Sequence, residues 1–280
     1  MNTSSRQPST AFSAARIFEL SLPQMLWSRR SILLALLVCG PMALATVPRG
    51  AWIIRPSQFT DATVGFDIYG LMIWLLYVRF IVPVLGVFYG TSMIADEVED
   101  KTITYLFTRP IQRRAVILGK YAAYLVCTLL LVLPSAMIVF FLLVPVGGGT
   151  SIGVQFPVLI RDLGALAIGL AAYGAVFAYV GARVRRPLLA GLAFVFGWEP
   201  AMVVIPGYLK RLSVAYYLQA LIPHARPPDD AGPPLIVVAL RGLLEEPSAL
   251  GAVVGLAVII GLCLWAAGRA VEQREYVLEQ

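Results

Sequence analysis

The stretch that decides the fold is DEVEDKTITYLFTRPIQRRAVILGK, residues Asp96 to Lys120. It carries nine charged side chains and a proline between two long apolar segments. Hydrocarbon tolerates neither isolated charge nor unsatisfied backbone, so this is a polar loop at one membrane face. Its first half predicts a short helix continuing out of the preceding segment. Ile94, Val98, Tyr105 and Leu106 fall on one side, with Glu97, Glu99, Asp100 and Lys101 mostly on the other. Pro110 disfavours helical geometry at Arg109, so this helix should stop near Thr108. A second should begin at Pro110 and run through Ile111, Arg113 and Lys120 into the next apolar segment. A helix, an elbow and a basic second helix beneath a bilayer make a lever that a soluble partner can push.

Outward from this loop the chain is apolar. With 59% hydrophobic and 14% charged residues and a mean hydropathy of +0.80, it is an integral membrane protein and not a soluble domain. The net charge of +6 does not signal nucleic acid, because the bases are scattered through short inter-span segments and form no stripe with interleaved aromatics. Cys39, Cys127 and Cys263 each lie in an apolar run, an odd set without CxxC spacing, and read as packing residues.

The expected fold is all-α, a six-helix membrane bundle forming one domain over 1–280. Spans are expected at about 31–47, 69–95, 121–146, 163–184, 187–208 and 248–270. Before them, residues 11–30 predict an interfacial helix with Ala15, Phe18, Leu22 and Met25 as its apolar stripe. Ser28-Arg29-Arg30-Ser31 followed by an apolar run and Ala43-Leu44-Ala45 mimics a twin-arginine export signal. The long leader and five later spans make the two arginines more simply a cytoplasmic anchor. Between the last two spans, 210–247 holds two apolar pieces too short to cross, read as interfacial or re-entrant helices on the outside. The expected inside segments carry fourteen Lys and Arg and the outside ones seven, which places both termini in the cytoplasm of a multi-pass plasma-membrane protein.

Two charged residues fall deep inside spans. Arg79 lies ~24 Å from a cytoplasmic end at Ala95, and Glu199 ~18 Å from one at Pro187. Arg79 reaches the outer interface by snorkelling, the simpler reading, or forms an intramembrane pair with Glu199. Trp74, Tyr77, Phe80, Phe88 and Tyr89 on the second span, with Phe194, Phe196 and Trp198 on the fifth, either pack and face lipid or line a route for an amphiphile. Gly86-x-x-x-Gly90 and Gly251-x-x-x-Gly255 have the spacing for close helix contact.

No catalytic or metal site emerges. Gly119-Lys120 is followed by Tyr121 and Arg114 stands where a phosphate loop needs its first Gly, so the chain does not itself hydrolyse ATP. His224 is the single histidine and reads as a loop residue; Asp229-Asp230 reads as a turn. Asp96, Glu97, Glu99 and Asp100 admit an alternative, the magnesium site of a membrane-embedded prenyl- or lipid-transfer enzyme. A second acidic segment at a cytoplasmic helix end, which bridging metals generally require, is missing.

The pattern E-x-E-x-x-T-x-x-x-L-x-x-x-P-x-x-R-x-x-x-x-x-G-K, formed by Glu97, Glu99, Thr102, Leu106, Pro110, Arg113, Gly119 and Lys120, resembles the loop between the second and third spans of ABC-2-type exporter permeases. Lys101 stands where that family often has Gly. The resemblance implies that the loop holds a coupling helix docking a soluble P-loop ATPase. Glu97, Glu99, Thr102 and Leu106 would shape that helix, and Arg109, Pro110, Arg113 and Lys120 its elbow and base. It further implies two ATPase copies carrying ATP and magnesium, a second permease that is identical or related, and a path between the second and fifth spans. This chain then needs no cofactor of its own, its other partners are membrane lipids, and no nucleic acid is involved.

Overall fold

The computed structural model describes residues 10–59, 61, 63–93, 113–148, 152–204, 211–222 and 248–273, and every regular element among them is helical. Two helices precede the first connection, α1 (Thr10–Leu26) and α2 (Arg29–Ile54). Then come α3 (Val64–Met93), α4 (Arg113–Leu143) and α5 (Ile152–Arg183). α6 covers 187–204, α7 is Val214–Leu221 and α8 is Ala249–Gln273.

Among the described residues, five segments are long and apolar enough to cross a membrane: Ser31–Ile54, Val64–Met93, Ala115–Leu143, Ile152–Arg183 and Ala249–Val271. The sixth expected crossing corresponds to α6, whose apolar part, Pro187–Met202, is shorter. Helix ends also differ from the apolar stretches. α2 runs past Val47 through Pro48 to Ile54, since each proline removes one donor but leaving the helix would strand many more in hydrocarbon. α5 begins at Ile152, well before Leu163. Its 32 residues rise ~48 Å against a hydrocarbon core of ~30 Å, so its first turns, with exposed Arg161, project beyond the apolar layer.

Two helices make the core. In α3 and α5 the apolar window is 61% and 56% buried, against 11% in α8. Glycine brings them together. A Cβ on Gly86 would lie 2.8 Å from Tyr173 Cβ, and one on Gly90 2.7 Å from Phe177 Cβ, so the spaced glycines of α3 receive the aromatic ridge of α5. On α5, Gly174 presses on the Tyr124 ring of α4, whose hydroxyl donates to the Leu170 carbonyl at 2.9 Å. α1 packs along α4. Its buried stripe is Ser13, Ile17 and Ser21, flanked by partly buried Phe18, Leu22 and Met25, while Ala15 is exposed. The stripe is turned from the expected one because α1 lays Ala14 and Ile17 over Gly119 of α4.

Neither α3 nor α6 is uniformly α-helical. Ile73–Ile81 and Gly86–Gly90 of α3, and Phe194–Trp198 of α6, are π-helical. In α6 the break that Pro200 would impose is absorbed in this way. The proline withdraws one N–H from the ladder, and the turn before it widens while the helix continues to Val204.

Candidate functional site

Glu97, Glu99, Thr102, Leu106, Arg109 and Pro110 lie outside the described residues, as does the side chain of Arg113. The two ends of their loop are described. Lys120 Nζ donates to the Met93 carbonyl at 2.9 Å, clasping the last described turn of α3 to the first turns of α4. Gly119, beside it, lets α1 lie across α4: an added Cβ would meet the Ala14 carbonyl at 2.6 Å and Ile17 Cβ at 2.9 Å. The α1–α2 elbow joins the same end of the bundle. Ser28 caps α2 by accepting from the Ser31 amide at 3.1 Å, the Ser31 hydroxyl donates to the Met25 carbonyl, and Tyr89 of α3 donates to Ser31 Oγ at 2.8 Å.

The second polar centre surrounds Glu199, which is 5% exposed. Its Oε2 accepts from Ser213 Oγ at 2.5 Å and from the Ala215 amide at 3.3 Å, and its Oε1 accepts from the Val214 amide at 3.1 Å. Ser213 is in turn the N-cap of α7, accepting from the Tyr216 amide at 3.3 Å. A buried carboxylate is costly in an apolar medium, and here the orphan donors and positive end of a helix compensate it. Arg79 lines the same cavity of about 30 Å³ with Tyr173, Val195 and Pro200. Its guanidinium carbon lies 5.2 Å from the centre of the Trp74 ring. The two sequence candidates therefore share one cavity, but among the described residues Glu199 is bonded to the start of α7 and to the Tyr173 hydroxyl of α5, and no direct ion pair joins it to Arg79.

The aromatic set divides. Trp74, Tyr77 and Tyr89 are buried, while Phe80, Phe196 and Trp198 face outward, with the Phe80 and Phe196 ring centres 6.5 Å apart. Sequence reasoning missed Ser213 and two further polar ties. Tyr69 donates to buried Asp162 at 2.9 Å, linking α3 to α5. The Tyr77 hydroxyl bonds Ser135 Oγ at 2.6 Å, and Ser135 donates to the Val38 carbonyl at 3.0 Å, linking α3, α4 and α2. The available signal was a polar residue within an apolar run, which signifies an interhelical bond. Cys39 is exposed, Cys127 buried and Cys263 half-buried, all three free. His224 and Asp229-Asp230 lie outside the described residues.

No curated protein matches the chain. Residues 4–219, more than half its length, match the family described as ABC-2 family transporter protein. Crossing helices packed through spaced glycines and this match agree: the chain belongs to the ABC-2 family of transporter proteins, as a multi-pass membrane permease component of an ABC transporter.

Proposed function

We propose that the chain is the permease subunit of an ATP-driven exporter, working with two copies of a soluble P-loop ATPase that carry the ATP and magnesium. A second permease, identical or related, completes the pathway. α6 makes the sixth crossing, both termini are cytoplasmic, and the protein resides in the plasma membrane. The loop at 96–120 receives the ATPase: Glu97, Glu99, Thr102 and Leu106 form the docking face, and Arg109, Pro110 and Arg113 the elbow. The observation that carries this reading is the closed base of that loop. Lys120 on the Met93 carbonyl, with α1 laid over Gly119, ties four helices to the foot of the lever, so a push there moves α3 and α4 together. Closure of the ATPases then biases the bundle between two states through differential contacts.

The test is co-expression with a P-loop ATPase subunit of the same organism. The two should co-purify, and Glu97→Ala or Arg113→Ala should lower permease-dependent ATP turnover without removing the permease from the membrane. Labelling of Thr102→Cys by an impermeant maleimide from outside the cell would sink the proposal.

A further inference from the structure

Three hydrogen bonds of the Glu199 carboxylate run to the start of one eight-residue helix, and the Tyr173 hydroxyl of α5 bonds it as well. So short a helix is not stable alone, and its place depends on what holds it. Two recesses take its side chains: Gly169 of α5 receives Leu218, and Gly255 of α8 receives Tyr217, with added Cβ atoms at 3.0 and 2.6 Å. The third hold is Glu199, which directly follows the π-helical turn Phe194–Trp198. A π turn contains one residue more than an α turn. Closing it rotates everything beyond by ~100° and shifts it ~1.5 Å along the axis, which takes the carboxylate off the start of α7. Arg79, on the π-helical stretch of α3, lines the cavity on which Glu199 also borders.

We propose that Glu199 is a positioning residue of the transport cycle with two alternative partners. On Ser213, Val214 and Ala215 it holds α7 shut between α5 and α8; after a register change in the π turn of α6 it passes to Arg79 and α7 swings free. The two states differ in a defined set of contacts, as a switch requires. This rests on the exporter reading, which supplies the driving ATPase and puts α7 on the outer side.

The experiment uses the full chain with Cys39, Cys127 and Cys263 replaced by Ala, co-expressed with its ATPase. It follows impermeant-maleimide labelling of Gln219→Cys on α7 from outside, at rest and after trapping with ATP and vanadate. In the parent, labelling should be slow at rest and about tenfold faster when trapped, equivalent to about 1.4 kcal/mol of hold on α7 released. Glu199→Ala should label fast in both states. Arg79→Ala should label slowly in both, because the carboxylate has lost its second partner. A purely structural role predicts no such opposition. Labelling in Glu199→Ala equal to the parent, or Arg79→Ala opening α7 as Glu199→Ala does, overturns the proposal. If Glu199→Ala does not reach the membrane, Glu199→Gln and Ser213→Ala, each weakening part of the hold, should label at intermediate rates at rest, and parent-like rates in both overturn it equally. Ser57→Cys, exposed in the turn after α2, reports orientation: unlabelled Ser57→Cys refutes the exporter topology and not the latch.

Discussion

Gly119 and Gly164 both lie inside long helices, and replacing each with alanine should have opposite consequences. Alanine favours a helix interior by about 0.8–1 kcal/mol over glycine at either position. At Gly164 a new Cβ meets nothing within 4 Å, so that gain stands. At Gly119 it falls 2.6 Å from the Ala14 carbonyl oxygen and 2.9 Å from Ile17 Cβ. The first of these is backbone, so all of α1 must yield. Forcing a methyl group into a packed contact costs about 1–3 kcal/mol, leaving Gly119→Ala with a net loss of about 0–2 kcal/mol. Since the helix gain cancels between the variants, they should differ by about 1–3 kcal/mol. Unfolding in detergent micelles measures this difference. Reactivity of a cysteine at Ser21, buried at rest in the α1–α4 contact, reports whether α1 has lifted. Equal stability of the two variants, with Ser21→Cys protected in both, would refute the account of how α1 is seated.

Tyr69→Phe removes the hydroxyl that donates to buried Asp162 and should lower stability by about 1–3 kcal/mol in the same unfolding assay; parent-like unfolding would mean that this bond contributes nothing. Lys120→Met unclasps the Met93 carbonyl and should reduce permease-dependent ATP turnover several-fold for about 1 kcal/mol of stability, with partial recovery in Lys120→Arg. Undiminished turnover in Lys120→Met would remove the clasp from the coupling route.

The fold was largely legible because hydrocarbon imposes length and composition on anything that crosses it. What hydropathy cannot locate is where a helix ends once it leaves the apolar layer, hence Ile54 for Val47 and Ile152 for Leu163. The spacing of Gly86 and Gly90 announced a close contact but not its partner, which the bulk of Tyr173 and Phe177 supplies across the core. Glu199 was visible as an anomaly, and it borders the same cavity as Arg79. Its actual partner escaped notice because Ser213 is an ordinary polar residue until α7 exists to be capped. Pro200 pointed to a disturbance in α6. A π turn and a kink both satisfy a missing donor, and a sequence does not distinguish them.

The last helix buries only one edge, Ala252, Leu256, Ala267 and Val271, and just 11% of its apolar window is fully buried. A stave fastened so narrowly opens before the barrel does. Exchange and proteolysis at α8 should therefore report a partial unfastening well below the free energy of taking the whole molecule apart, and any neighbour that covers the bare side, lipid or protein, sets how tightly the assembly is closed.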